Sequence, residues 1–296
     1  MKYIPSYFGM VNVKKSSVYT YHAVESFFAR TNFDPSLGDR FYLIDNDNSL
    51  LRLPDNSKGK CIVIKNEEPK SFARNVNSVL AIALEDDANL VFLNNDIIFT
   101  HDWLSPLLRT DAAITLPCCN QYEVYKNSEF ALNVAMDLKD FIGHEKSFEE
   151  FISLRSKERL GPEYIYPLFL PFYCFRLPHA IASKVGLFDE GFGKGGAEDI
   201  DYRIRANLHG FDVAIALDSY VLHFMGKSTW RGAETLEQTE ERNDIYRREF
   251  IKKWGEKLAN IFLNPSNAEA EIKKYSLERE LVDKKYKAII EKCLLP

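Results

Sequence analysis

Six short apolar runs, each bounded by Asn, Asp, Gly or Pro, decide what this chain can fold into. They are RFYLID (40 to 45), CIVIKN (61 to 66), NLVFLNND (89 to 96), AAITLP (112 to 117), PFYCFRL (171 to 177) and FDVAIALD (211 to 218). Their length and their β-branched and aromatic content read as strands. Helical patterns lie between them. In the clearest, Ser71 is placed as an N-cap and Phe72, Val76, Val79, Leu80 and Ala83 share one face. Strands alternating with helices predict an α/β fold whose largely parallel sheet is covered on both faces. Ahead of the first run, IPSYFGMVNVKK reads as irregular and SVYTYHAVESFFAR as helical.

Two segments depart from this pattern. Residues from about 120 to 168 are rich in charge and aromatics with weak periodicity, as expected of an insertion over the sheet. From about 228 onward the chain is strongly charged, with apolar residues at helical spacing in ETLEQTEERNDIYRREFIKKW and again from Glu269 to Leu295. That predicts a main domain over 1–228 and a helical C-terminal appendage over 229–296, with NPSNAEAE near 264 as the best linker. A chain of 296 residues with 46% hydrophobic and 27% charged residues has room for both.

Charge narrows the partners. A formal net charge of −5 argues against general nucleic-acid binding, which needs a basic excess facing phosphates. No apolar run approaches the roughly 18 residues of a membrane span, and MKYIPSYFGMVNVKK lacks a signal-peptide core. The expected location is cytoplasmic, with room for a peripheral contact with a membrane. Cys61, Cys118, Cys119, Cys174 and Cys293 show no C-x-x-C spacing, so reduced cysteines, several in buried strands, are expected rather than a disulfide framework or structural zinc.

Three places could carry chemistry. NLVFLNNDIIFTHDWL runs an apolar strand into Asn94, Asn95 and Asp96, with a helix expected after it. Ligands of open α/β sheets gather at such strand ends, and a hard divalent cation shared with phosphate oxygens needs one or two carboxylates there. The plainer reading is a turn, which Asn and Asp also favour. In VGLFDEGFGKGGAEDIDYRIRANLHG, Gly193, Gly195 and Gly196 would let a backbone approach a ligand just before Glu198, Asp199 and Asp201. Acids in a first helical turn also answer the macrodipole, but two adjacent carboxylates beside a glycine-rich loop can divide base and binding roles. Finally, His223 follows a strand expected to end near Leu217 and Asp218; a lone histidine is usually structural, and its value as a metal donor depends on the other two sites. There is no G-x-S-x-G elbow, no phosphate-binding G-x-x-x-x-G-K-[ST], and no glycine-rich dinucleotide fingerprint directly after a strand.

Taken in order, these elements resemble the family 2 glycosyltransferases, inverting enzymes of GT-A fold that use nucleotide sugars. The resemblance runs from about residue 40 to 228 and is most specific at LVFLNNDIIFTHDWL and VGLFDEGFGKGGAEDIDYRIRANLHGFDVAIALDSYVLHFMGKS. It implies a Rossmann-like mixed sheet flanked by helices. It further implies a D-x-D-like motif in which Asn94 replaces the first acid, Asn95 follows, and Asp96 binds the metal and diphosphate. By the same resemblance Asp45 contacts the nucleotide base, Arg74 and Asn75 lie near the nucleotide, Asp199 is the general base, Glu198 its acidic neighbour near the acceptor, and His223 the late metal or diphosphate ligand. Asp201 is expected to support Arg203 or Arg205, and Tyr7 or its neighbours to help cup the base and ribose.

The implied reaction is transfer of a hexosyl or deoxyhexosyl group from a UDP-sugar, or alternatively a dTDP- or GDP-sugar, to an acceptor hydroxyl with Mn²⁺ or Mg²⁺. The implied acceptor is a glycan or lipid-linked glycan of polysaccharide biosynthesis, recognised by the insertion and the C-terminal helices. Those helices could also form a homodimer or touch a membrane surface. The alternatives are a non-catalytic nucleotide-sugar or glycan binder, suggested by the missing first acid, and a glycoside hydrolase, which would need two carboxylates but no diphosphate site.

Overall fold

The computed structural model describes residues 3–120, 136–158, 164–165, 171–227, 234–264, 290–291 and 293–294. Each of the six apolar runs contributes a strand to one sheet. In chain order the strands are β1 (Ser6–Asn12), β2 (Arg40–Asp45), β3 (Cys61–Lys65), β4 (Asn89–Leu93), β5 (Ile97–Phe99), β6 (Ala113–Cys119), β7 (Tyr164–Ile165), β8 (Cys174–Leu177) and β9 (Asp212–His223). The α-helices are α1 (Ser17–Arg30), α2 (Phe72–Glu85), α3 (Leu138–Phe141), α4 (Glu145–Glu158), α5 (His179–Val185), α6 (Glu198–Leu208) and α7 (Leu236–Phe262).

The sheet runs β3-β2-β1-β4-β8-β6-β9-β5, with β7 added on β9. Strands β3, β2, β1 and β4 are parallel; β8 enters antiparallel between β4 and β6, and β6 and β9 are again parallel. The sheet is therefore mixed, and its order reverses at β1, which lies between β2 and β4. Helix α2 begins where expected, with Ser71 Oγ accepting from the Arg74 amide, and buries Val76, Val79, Leu80 and Ala83. Each of its larger apolar side chains contributes about 1.5–3 kcal/mol relative to exposure.

Three expectations are corrected. Residues Ser6–Asn12, read as irregular, form the central strand β1, buried along its whole length. Its Gly9 is needed there, because a Cβ would lie 2.6 Å from a ring carbon of Phe92 on β4. The helix expected after Asp96 is instead β5, whose Ile97, Ile98 and Phe99 are buried and pair with His223, Leu222 and Val221. Strand β9 does not end at Asp218. A shift in register between Pro117 and Cys118 lets β9 bulge through Leu217, Asp218 and Ser219 and resume pairing at Tyr220.

The main core fills both faces of the sheet, and a second apolar cluster joins α6 to the C-terminal segment. In that cluster Phe192, Ala197 and Ile204 pack with Phe250, Leu258, Ile261, Phe262, Ile290 and Cys293. The expected linker near 264 and most of the expected helix from Glu269 to Leu295 lie outside the described residues, as does much of the 120–168 insertion, within which α3, α4 and β7 are described. Among the described cysteines none is bonded to another, and Cys118, Cys119, Cys174 and Cys293 are buried.

Candidate active site

The resumption of β9 is what creates the first half of the site. Because β5 turns back against the end of β9, Ile97 pairs with His223 and Asp96 is delivered beside the imidazole. Asp96 is fully buried, and its Oδ1 lies 3.3 Å from Nε2 of His223. That oxygen takes no hydrogen bond of good geometry, while Oδ2 accepts from the Lys227 amide at 3.0 Å. Burial pushes the His223 pKa down, but the neighbouring Asp96 carboxylate, helped by the Cys119 thiol, more than reverses this and lifts it to about 10. The ring stacks on Tyr173 at 5.0 Å, and the backbone amide of His223 donates to Asn120 Oδ1 at 2.8 Å.

Asn94 and Asn95 have different surroundings from each other. Asn95 is buried, and its Nδ2 donates to Ser16 Oγ at 2.7 Å and Thr20 Oγ1 at 2.8 Å. Thr20 spends its own hydroxyl proton on the Ser16 carbonyl, so the amide orientation is fixed. Asn95 thus anchors the loop to α1. Asn94 is only half-buried, and its backbone amide donates to the Tyr173 carbonyl at 2.8 Å.

The second half is the start of α6. Gly195, Gly196 and Ala197 all have positive φ, with Ala197 at 66° in the left-handed region that a non-glycine residue enters at a cost. The buried Glu198 folds back to accept the Gly196 amide. Burial, then the adjacent Asp199, raise its pKa to about 7. Asp199 is half-buried; its Oδ1 accepts the Ile200 amide at 2.8 Å and Oδ2 the Phe172 amide at 3.2 Å. Burial raises its pKa as well, against those amides and the Arg203 charge.

Phe172 and Tyr173 join the halves. One residue donates its amide to Asp199, and the next accepts the Asn94 amide and stacks on His223. Sequence reasoning gave neither residue a role, nor Lys227 or Asn120. The only hint was that PFYCFRL is a strand whose start is aromatic.

Asp45 and Arg74 stand at the other side of the sheet reversal. Asp45 Oδ1 accepts the Ser49 and Leu50 amides at 2.9 and 3.1 Å and faces Asn12 Nδ2 at 3.3 Å, so it shapes the turn after β2. Next to it Asn46, Asn66 and Asn75 form a buried amide cluster in which Asn46 Oδ1 accepts from both others. Arg74 is exposed and pairs with Glu190 at 3.0 Å; Asn77 holds Glu190 and both backbone groups of Phe188. Tyr7 sits at the opposite end of β1 with its hydroxyl on Asp86, which removes it from the base-cupping role. Asp201 is fully buried and accepts from Arg205 Nε at 2.9 Å as expected, and also from Trp254 Nε1 at 2.9 Å and Lys253 Nζ at 2.7 Å.

The glycine-rich loop has a reason that was not foreseen. A Cβ on Gly196 would lie 2.5 Å from Tyr246 Cδ1, and one on Gly193 3.1 Å from Ile245 Cγ2. These glycines admit α7, which lies directly on the loop.

Among the described residues no group of three or more His, Cys, Asp or Glu side chains converges on one point. The Asp96–His223 pair nonetheless fits a divalent ion. Donors at about 2.1 Å from a Mg²⁺-sized ion lie about 3 Å from each other when adjacent, close to the 3.3 Å seen, and Asp96 Oδ1 is a buried oxygen with capacity to spare. Two protein donors suit an ion that takes its remaining ligands from a diphosphate and water.

No family model matches the chain, and neither does any curated relative. Solved structures do share its architecture. GalNAc-T7 with UDP, GalNAc and Mn²⁺ is 15% identical with a TM-score of 0.55, over 97% of this chain and 54% of that one. The S. aureus TarS 1–349 structure in complex with UDP-GlcNAc is 14% identical with a TM-score of 0.54, over 94% and 77%. The fold is that of the GT-A glycosyltransferases. A mannosyltransferase from Pyrobaculum calidifontis in complex with GDP-Man and Mn²⁺ gives 10% identity and a TM-score of 0.50, over 84% of this chain and 65% of that one. This chain thus spans about half of GalNAc-T7 and about two thirds of the mannosyltransferase. In GT-A terms, the reversal at β1 places Asp45 and Asn12 on one side and Asn94 to Asp96 on the other.

Proposed function

We propose that this chain is an inverting, family 2 type glycosyltransferase that moves a sugar from a nucleoside-diphosphate-sugar to an acceptor hydroxyl. The observation that carries the reading is the Phe172–Tyr173 bridge, which ties a carboxylate suited to be a base to a carboxylate–imidazole pair suited to hold a metal diphosphate. Solved structures of the same fold contain UDP or a GDP-sugar together with Mn²⁺.

In this reading Asp199 takes the proton of the acceptor hydroxyl as that oxygen bonds to the anomeric carbon and the bond from that carbon to the diphosphate oxygen breaks. Two backbone amides fix the Asp199 carboxylate, one on each oxygen, leaving further lone pairs for the incoming proton. Its raised proton affinity strengthens it as a base. A Mn²⁺ or Mg²⁺ ion held by Asp96 and His223 would supply positive charge for the leaving diphosphate. His223 must give up its proton to serve as such a ligand. The backbone amide of Lys227 holds Asp96 Oδ2, while its ammonium pairs with Asp137 at 3.4 Å. We assign the approach of the nucleotide to Asn94, Asp45 and Arg74, with the buried Asn95 holding the loop that carries Asn94 and Asp96; UDP is the first choice and GDP or dTDP the others.

We assign the acceptor to glycans or lipid-linked glycans, met on the side of α3 and α4, and the site of action to the cytoplasm, next to a membrane or free of it. No helix among the described residues is long and apolar enough to cross a membrane. The test is a panel of nucleotide sugars assayed for donor hydrolysis and transfer with Mn²⁺ or Mg²⁺. One donor should be consumed in a metal-dependent way, and Asp199→Asn should lower that rate about 10²–10⁴-fold while donor binding persists. Binding of a donor with neither hydrolysis nor transfer under any metal would instead favour the non-catalytic binder, for which Asn94 in the first acid's place speaks.

A further inference from the structure

Beneath the glycine-rich loop lies a part-buried ion pair that the reaction described above does not use. Glu234, just ahead of α7, has a side chain only 10% exposed, and Arg242, two turns into that helix, is 17% exposed. Arg242 Nε donates to Glu234 Oε2 at 3.0 Å, and its Nη1 reaches the Gly195 carbonyl at 3.5 Å. Thr239 Oγ1 supports the same Glu234 oxygen at 3.4 Å, whereas Glu234 Oε1 is buried with no hydrogen-bond donor among the described residues. Burying a carboxylate with one oxygen unused is costly, and its pairing with the Arg242 guanidinium is what offsets that cost.

The place held is the floor of the loop that carries the two acids. Gly195 is followed by Gly196, whose amide binds Glu198 and whose open face is covered by Tyr246. Asp199 on the same helix acts on the Glu198 carboxyl, as does Arg242 from α7, whose Nη1 reaches the Gly195 carbonyl beside the Gly196 amide that Glu198 accepts; Glu234 stands behind Arg242, and Arg203 acts on Asp199. Asp199 and Arg242 act on Glu198 in opposite senses, the first favouring its neutral form and the second its ionised form.

We propose that Arg242, braced by Glu234, is a positioning residue that sets how the negative charge is divided between Glu198 and Asp199. This rests on the reading of Asp199 as base. With Arg242 in place Glu198 ionises near neutrality, and its charge keeps the proton affinity of Asp199 high. Without it Glu198 stays protonated, can donate a hydrogen bond, and leaves Asp199 a weaker base. Glu234 moderates Arg242, so removing its charge exposes Glu198 to the whole guanidinium.

The test follows the Glu198 carboxyl directly, by ¹³C NMR of protein labelled at the Glu side-chain carboxyls, the resonance being assigned by its loss in Glu198→Gln. In Arg242→Gln the titration midpoint should rise by roughly one pH unit, in Glu234→Gln it should fall, and in Arg242→Lys, which keeps the charge, it should stay within about 0.3 unit of the parent. Circular dichroism checks that each variant is folded, and Glu234→Gln stands in should Arg242→Gln fail that check. Midpoints that move in the same direction in both variants, or that do not move, overturn the proposal. Because this readout needs no turnover, a donor panel without activity would sink the functional reading while leaving the charge-setting role to be decided by the titration.

Discussion

Replacing Gly196 by Ala tests whether the loop before α6 is shaped by α7. Gly196 has a φ of 127°, which side-chain-bearing residues rarely adopt, and holding Ala there costs about 1–3 kcal/mol. The added Cβ would also lie 2.5 Å from Tyr246 Cδ1 and 2.9 Å from Cε1. Moving a packed ring or the loop itself costs about another 1–3 kcal/mol. Gly196→Ala should therefore destabilise the protein by about 2–6 kcal/mol, read as a lower urea midpoint at unchanged slope. Tyr246→Ala removes a half-buried ring, and the double variant keeps the backbone strain but loses the clash. The double variant should consequently be more stable than the sum of the singles implies, by about 1–3 kcal/mol. The loop carries Glu198 and Asp199, so residual transfer by folded Gly196→Ala should fall at least about tenfold, since a shift near 1 Å at a reacting group costs on the order of 10²-fold. Additive effects within about 0.5 kcal/mol, or a Gly196→Ala protein as stable as the parent, would refute the packing argument.

Other outcomes follow from the same geometry. Asp96→Asn should weaken donor and Mn²⁺ binding together, seen by calorimetry as loss of the metal-dependent part of nucleotide affinity. Transfer should rise with pH, because the proposed base, Asp199, acts unprotonated and burial raises its proton affinity above that of an ordinary carboxyl; ionisation of Glu198 near pH 7 strengthens it further. Folded Glu198 keeps a proton that the unfolded chain has lost, so its contribution to stability is complete below the ordinary value of 4.5 and declines as pH rises through about 7. Glu198→Gln should flatten that slope in urea titrations run across this range. Asp201→Ala, which strips Arg205, Trp254 and Lys253 of a shared acceptor, should cost about 3 kcal/mol and lower Tm by roughly 5–10 °C.

What the sequence made legible was whatever local pattern encodes. RFYLID and CIVIKN announce strands by composition, and Ser71 with its apolar face announces α2. Strand β1 stayed hidden because Pro5, Ser6 and Gly9 punctuate it like a loop, although Gly9 is dictated by Phe92 on the neighbouring strand. Strand β5 was mistaken for a helix because three apolar residues carry no period, and only pairing with β9 fixes their form. The same holds for the site. Asp96 and His223 could each be named by resemblance, but their meeting depends on a bulge at Leu217 to Ser219 that no local signal marks. Long-range packing likewise explains Gly193 and Gly196, which a local reading gives to a ligand and the fold gives to Ile245 and Tyr246.

The seam between α6 and α7 bears on how such a chain can be rebuilt. The first turn of α6 carries Glu198 and Asp199, and its Asp201 and Ile204 are held by Trp254, Lys253 and the apolar face of α7. A graft that exchanges everything after residue 233 would leave Ile204 and Phe192 bare and Asp201 short of two donors. Such a chimera has to carry Phe192 to Leu208 along with its new tail, so inheritance of the tail and of the acids is joined in a single block.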